Sequence, residues 1–176
     1  MNVYLIRHTE VDMAEPLCYG QTDMPVREDV FAEEAEQARR TLAGIQFDHV
    51  FCSPLQRAVR LAEYCGYPDA ERDDRLKELF MGDYEMVPFR FIPQEHLDLW
   101  YHHYMDIQMP GGESTKHLYD RMVAFFEELR RKPYKNAAVF FHGCAILCVR
   151  IWAGQLPWSA GFSDVTPFGG VEKIVL

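Results

Sequence analysis

The sequence has few of the features that stabilise small secreted domains or bind metal ions. It contains only five cysteines, an odd number, and no two of them form a C-x-x-C pair. Neither a disulfide framework nor a zinc site of the usual spacing is therefore indicated. Long hydrophobic runs are also missing, so no signal peptide and no membrane-spanning segment is predicted. These absences favour a cytoplasmic protein with reduced thiols.

Positive charge is scarce as well. The chain has 27 acidic and 18 basic residues, and its formal net charge is -9. A domain that binds nucleic acid needs a basic face, so we expect neither a nucleic acid nor a membrane surface as a partner. An anionic ligand would be repelled by the overall field of the protein. Any phosphate site must therefore be made locally, by a few arginines and backbone N–H groups.

What is present is an ordinary globular composition, with 48% hydrophobic and 26% charged residues in a chain of 176. We interpret residues 1–176 as a single domain, in which about 84–112 form a lid or cap. Strands alternate with helices, which predicts an α/β fold: a three-layer α/β/α sandwich around a mostly parallel central sheet. The strands are predicted at residues 3–6, 49–52, 137–141 and 171–176, and the helices at residues 28–44, 53–65, 94–105, 115–131 and 144–153.

Two of the predicted strands end in a histidine. His8 comes shortly after the first strand, and His142 comes directly after the strand at 137–141. In open α/β sheets, ligands bind beyond the carboxyl ends of the strands. We therefore expect both histidines to lie at one site.

Five segments, in order along the chain, resemble the motifs of the histidine phosphatase superfamily, also called phosphoglycerate mutase-like. The resemblance covers nearly the whole chain, and five ordered pieces are far more specific than one. It implies a phosphoglycerate mutase-like fold and a hydrolase of phosphoric monoesters that needs no cofactor. The segments are RHTE at 7–10, SPLQRA at 53–58, LKEL and GDYE at 76–79 and 82–85, PGGES at 110–114 and FHG at 141–143.

The resemblance also implies a role for each catalytic residue. His8 would be the nucleophile that takes the phosphoryl group. Arg7 and Arg57 would bind the phosphoryl oxygens by charge-assisted hydrogen bonds, and His142 would complete this clamp. Glu78 would protonate the leaving alcohol and then deprotonate the attacking water. No metal ion is implied, since the arginines supply the positive charge.

Further phosphate contacts are expected from four residues, and two questions stay open at this point. The four residues are Thr9, Gln21, Thr22 and Gly143, the last with the N–H groups of the helix that follows it. One open question is the acid, because Glu85 or Glu113 could take the role given to Glu78. The other is the departure from the family pattern at Thr9, where most members have glycine, and at Ala14, where many have a phosphate-binding asparagine.

Within the superfamily, residues 7–12 and the string CYGQTDMPV at 18–26 look like the α-ribazole phosphatase branch. Those enzymes remove the 5′-phosphate of α-ribazole phosphate during assembly of the cobalamin nucleotide loop. The chain is also shorter than the phosphoglycerate mutases of the family, which favours hydrolysis. The partner implied is a small phosphate ester, and a homodimer is compatible with the sequence. The alternatives are a broad-specificity phosphatase and a phosphate-binding protein without turnover.

Overall fold

The computed structural model describes all 176 residues. Its strands are β1 (Asn2–Arg7), β2 (Leu17–Cys18), β3 (His49–Cys52), β4 (Glu71–Arg72), β5 (Val87–Pro88), β6 (Asn136–Phe141) and β7 (Val171–Val175). A five-stranded sheet forms the centre of the fold, with the spatial order β4-β3-β6-β1-β7. All neighbouring strands in it are parallel except β7, which pairs antiparallel with β1. The remaining strands, β2 and β5, form a separate antiparallel pair.

The helices are α1 (Glu28–Leu42), α2 (Gln56–Tyr64), α3 (Gln94–His103), α4 (Thr115–Leu129) and α5 (Gly143–Trp152). They cover both faces of the sheet, since successive residues of the central strands point to opposite sides. Ile6 and Phe140 pack with α1 and α2 in one core cluster. Leu5 and Phe141 pack with α4 and α5 in the other. This arrangement confirms the predicted mixed α/β fold.

The pairing of β1 with β6 places the two histidines. Arg7 and Phe141 are partners in the parallel register, and the backbone N–H of His8 donates to Phe141 O at 3.0 Å. His8 and His142 are the residues that follow these partners. They therefore leave the sheet side by side at its carboxyl edge.

The segment that was predicted to form a lid, residues 84–112, contains β5, a short 3₁₀ turn and α3. Among the helical residues of α3, only Trp100 is buried. That residues 84–112 act as a lid over the site stays a prediction. In the whole chain, no helix has both the length and the apolar character needed to cross a membrane.

Candidate active site

His8 is buried, and its hydrogen bond fixes which nitrogen is free. Nδ1 lies 2.6 Å from Thr9 O, which can only accept, so Nδ1 carries the proton and Nε2 keeps its lone pair. Burial holds the pKa of His8 well below its ordinary value, and the positive charges of Arg57 and Arg7 lower the pKa further. The imidazole is therefore neutral at neutral pH, as a nucleophile must be.

His142 lies next to His8, with 5.1 Å between the ring centroids, so the structure brings the two together as expected. His142 directly precedes α5, and its Nε2 lies 2.7 Å from Ser53 Oγ. Burial and, after it, the charge of Arg57 hold the pKa of His142 well below its ordinary value. The helix predicted at residues 53–65 begins at Gln56, so Ser53 lies before it, and the helix has no side-chain cap. The hydroxyl orients His142 instead.

Arg7 is held by a turn that precedes β7. Its Nη1 donates to Thr166 O at 2.6 Å, and its guanidinium carbon lies 3.9 Å from the centroid of the Phe168 ring. The same ring lies 5.6 Å from the ring of His8. Sequence reasoning missed Thr166 and Phe168, because only folding brings this distant turn into contact with Arg7 and His8.

Arg57 is completely buried and holds the loop that carries the string CYGQTD. Its Nη1 donates to Thr22 O at 2.9 Å, and its Nη2 donates to Gly20 O. Burial lowers the pKa of Arg57, but a guanidinium remains charged in proteins. The side chain therefore contributes a fixed positive charge close to His8.

Four buried polar atoms of this cluster have no hydrogen-bond partner within the protein. Because unpaired buried polar atoms are rare in folded proteins, such a concentration is typical of a functional site. Around His8 the concentration suits an oxyanion, since guanidinium and hydroxyl groups are donors. The atoms are Arg7 Nε, Thr9 Oγ1, Arg57 Nε and His142 Nδ1.

Glu78 lies at the N-terminus of α5. Its Oε2 accepts a hydrogen bond from the backbone N–H of Cys144 at 3.0 Å, and its Oε1 accepts from Ala145 at 3.2 Å and from Leu79 at 2.9 Å. Two of the N–H groups of the helix that was expected to contribute donors to phosphate, those of Cys144 and Ala145, therefore bind this carboxylate. The N–H of Gly143 belongs to the donors that a helix leaves without an intrahelical partner.

Gly143 begins α5 directly against Arg7. A Cβ at this position would lie 3.0 Å from Arg7 Nε and 2.8 Å from Val165 Cγ1. Both distances are shorter than ordinary carbon contacts. Glycine is therefore the residue that allows α5 to approach the guanidinium so closely.

The two alternative candidates for the general acid, Glu85 and Glu113, form hydrogen bonds and ion pairs outside the cavity. Glu85 accepts hydrogen bonds from the Thr22 hydroxyl at 2.6 Å and from four backbone N–H groups, and Glu113 pairs with Arg121 at 2.9 Å. Burial raises the pKa of each carboxyl, but these hydrogen bonds outweigh burial and lower both values overall. Neither residue lines the cavity beside His8, whereas Glu78 does.

Gln21 and Thr22 were expected to bind phosphate, and the structure gives both side chains other partners. The Thr22 hydroxyl donates to Glu85, and Gln21 Nε2 donates to Glu78 O at 3.0 Å. Neither side chain contributes an unpartnered buried polar atom, in contrast to Thr9, Arg57 and His142, which also lie outside the cavity lining. Their contribution is to shape the loop that Arg57 holds, and a direct phosphate contact is not supported. Sequence reasoning could not see this, because both partners come from distant segments.

A cavity of about 320 Å³ opens beside His8. Its polar part is formed by Arg7, His8 and Glu78, and Arg7 is the only cationic side chain in its lining. The other eleven of its fourteen lining residues are one proline and ten hydrophobic residues. They are Pro16 and Met13, Leu17, Cys18, Tyr19, Leu79, Met81, Phe89, Trp100, Cys144 and Phe162.

Residues 3–166 match the family model of the histidine phosphatase superfamily (branch 1). The chain belongs to this superfamily. Membership in this superfamily, together with a relative that is itself named a phosphatase, shows that the protein is a phosphatase. One relative is the uncharacterized phosphatase PhoE of Bacillus subtilis (strain 168), 33% identical over 82% of this chain and 72% of its own. Another is the probable phosphoglycerate mutase GpmB of Shigella boydii serotype 18, 32% identical over 91% of this chain and 78% of its own.

Solved structures of the superfamily share the fold along the chain. The α-ribazole phosphatase from Shigella flexneri superposes with a TM-score of 0.88 at 23% identity and covers all of this chain and 91% of its own. A candidate α-ribazole-5′-P phosphatase from Escherichia coli K-12 has a TM-score of 0.83 at 26% identity over 98% of this chain and 89% of its own. The histidine phosphatase fold predicted from the motifs is thereby confirmed.

Proposed function

We propose that this phosphatase hydrolyses α-ribazole 5′-phosphate in cobalamin nucleotide-loop assembly, through a phosphohistidine on His8 and without a metal ion. The observation that carries the proposal is the cavity, which joins His8 and Glu78 to an apolar wall and contains one cation, Arg7. A monoester whose alcohol is neutral and bears an apolar ring fits this distribution. The similarity to the candidate α-ribazole-5′-P phosphatase of Escherichia coli adds support.

In the proposed first step, the lone pair on Nε2 of His8 forms a bond to phosphorus while the ester P–O bond breaks. The electron pair of that bond leaves with the alcohol oxygen, and the carboxyl group of Glu78 gives this oxygen its proton. Arg7, Arg57 and His142 stabilise the charge that spreads over the three phosphoryl oxygens. General acid help of this kind contributes about 10²–10⁴ in rate.

In the second step, the carboxylate of Glu78 takes a proton from water, whose oxygen attacks phosphorus. The N–P bond breaks, its electron pair returns to Nε2, and phosphate leaves. Glu78 ends protonated and His8 neutral, so one water is consumed in each cycle. The buried Nδ1–H bond to Thr9 keeps Nε2 unprotonated and aligned for the next turnover.

A broad-specificity phosphatase is the second candidate, and the composition of the wall is the reason. Apolar side chains form few hydrogen bonds that distinguish one alcohol from another, so unrelated apolar phosphate esters could bind as substrates. Phosphoglycerate is less favoured as a substrate, although some relatives are named as probable mutases. Its carboxylate would find no second cation in the cavity lining.

The test is phosphate release from α-ribazole 5′-phosphate, ribose 5-phosphate, 3-phosphoglycerate and an aryl phosphate, all in the presence of a chelator. We expect the highest kcat/KM on α-ribazole 5′-phosphate and no loss of rate with the chelator. The variant His8→Ala should lose turnover and the acid-labile phosphoprotein. His49→Ala is the matched control, since His49 bonds Glu71 outside the cavity, and should retain the rate.

Other outcomes of this test identify the alternatives. Similar kcat/KM values on all esters would establish the broad phosphatase and remove α-ribazole phosphate as the preferred substrate. Phosphate binding without release from any ester would establish a binding protein. Normal turnover by His8→Ala would show that the nucleophile is misassigned.

A further inference from the structure

An aromatic pair in the cavity wall joins two distant segments of the chain. The rings of Trp100, from α3, and Phe162, from the 3₁₀ turn after α5, lie with their centroids 4.8 Å apart. Both residues line the cavity that contains His8 and Glu78. Close by, the hydroxyl of Tyr104 donates to Ala160 O, which ties the end of α3 to the same turn.

The chemistry of this wall defines what it can recognise. Trp100 and Phe162 present aromatic surface, and Phe89 and Met81 continue the apolar lining. The cationic and anionic groups of the cavity, Arg7 and Glu78, are needed for the phosphoryl group and for proton transfer. No charged side chain of the lining is left over for a charged leaving group. Aromatic surface binds aromatic rings by offset or edge-to-face contact, in addition to the area that is buried.

We propose that Trp100 and Phe162 form a leaving-group subsite that selects phosphate esters whose alcohol carries an uncharged aromatic ring. This inference rests on the proposed phosphatase reaction at His8, and it assigns its substrate preference to two residues. Neither residue touches the phosphoryl group in this scheme. Their substitution therefore changes the discrimination between alcohols and leaves phosphoryl transfer itself intact.

Two pairs of substrates measure this discrimination. α-Ribazole 5′-phosphate and ribose 5-phosphate share the ribose and the phosphoryl group, and only the first carries the aromatic base. 2-Phenylethyl phosphate and ethyl phosphate differ in one aromatic ring and have similar primary alcohols as leaving groups. The readout is the ratio of kcat/KM within each pair, because a ratio cancels losses of folded enzyme.

The variants are Trp100→Leu, Phe162→Leu and the conservative Trp100→Phe. We expect each leucine variant to lower both ratios about threefold to tenfold, the range that aromatic contacts supply. Trp100→Phe should keep most of the preference. Trp158→Leu makes the same change at an exposed tryptophan that packs on Tyr119 and lies outside this cavity, and it should leave both ratios unchanged.

The results separate this inference from the proposed substrate. Unchanged ratios in both leucine variants would overturn the subsite, even if α-ribazole 5′-phosphate is the best substrate. A wild-type enzyme that prefers 2-phenylethyl to ethyl phosphate, and loses this preference in Trp100→Leu, would support the subsite even if α-ribazole 5′-phosphate is rejected. No preference in either wild-type pair would overturn the subsite and the α-ribazole assignment together.

Discussion

Three glutamates near the site illustrate how hydrogen-bond partners separate residues of one type. Glu78 lines the cavity and is held by backbone N–H groups at the start of α5. Glu85 binds the loop at residues 20–22, and Glu113 forms an ion pair with Arg121. The sequence left all three as candidate acids, because each lies in a motif of the family. Only the fold shows which carboxylate reaches the cavity.

Substitution of Glu78 and Glu85 by glutamine should therefore have different results. Glu78→Gln removes the proton donor, so we expect kcat to fall about 10²–10⁴-fold. A phosphohistidine should accumulate on an ester with a good leaving group, because water is no longer deprotonated. Acid-labile phosphoprotein in quenched reactions measures the intermediate.

Glu85→Gln is the comparison for this prediction. It weakens the charge-assisted hydrogen bonds that order the loop at 20–22, so the free energy of unfolding should fall by about 1–3 kcal/mol. Denaturant unfolding measures this loss, and no phosphohistidine should accumulate. Trapped intermediate in Glu85→Gln, with none in Glu78→Gln, would assign the acid to Glu85.

At the scale of elements, the contact between α5 and Arg7 predicts the effect of a single methyl group. In Gly143→Ala the new Cβ would lie 2.8 Å from Val165 Cγ1 and 3.0 Å from Arg7 Nε, so we expect both side chains, including the guanidinium, to shift. A small displacement of a substrate-binding group can cost about 10²-fold in rate. We expect a loss of kcat of this size and a decrease of about 1–3 kcal/mol in the free energy of unfolding.

Gly161→Ala is the control for this change, since a Cβ at Gly161 would meet nothing within 4 Å. Steady-state kinetics on ribose 5-phosphate and denaturant unfolding should show wild-type values for it. Wild-type kcat in Gly143→Ala would mean that Arg7 does not depend on this close approach.

The elements also show what could be predicted from sequence and what could not. The four longest strands and five helices were predicted because each has its own apolar pattern, as in β6 (Asn136–Phe141). The two-residue strands β2, β4 and β5 are too short for any period to be visible. The partners of Ser53, Thr22 and Gln21 were missed for a different reason. Each hydrogen bond joins segments far apart in the chain, and local patterns carry no information about them.

At the scale of the whole molecule, the two buried histidines make stability depend on pH. Burial holds the pKa values of His8 and His142 well below 6.5, so both stay neutral in the folded protein. In the unfolded chain each takes up a proton as the pH falls below 6.5. The unfolded state then binds more protons than the folded state, and the free energy of unfolding decreases.

We therefore expect full stability above about pH 6.5 and a loss below it, before most carboxylates are protonated. The limiting slope is about 1.4 kcal/mol per pH unit for each histidine, or about 2.7 for both. Urea unfolding at several pH values between about 7.5 and 5 measures the slope. The variant His142→Asn should lose about half of it, whereas an equal slope in wild type and variant would contradict the neutral state of His142.

The register of β1 against β6 has a consequence for length variation. The two histidines keep their spacing because they follow partners on adjacent strands, so the spacing is independent of the chain that connects them. Extra residues can enter the connections without changing the register that sets this spacing. A single deletion inside β1 is different, because every later side chain of the strand would change face. The spacing of the two histidines is therefore tolerant of insertions in the connections between β1 and β6 and intolerant of any shift in these two strands.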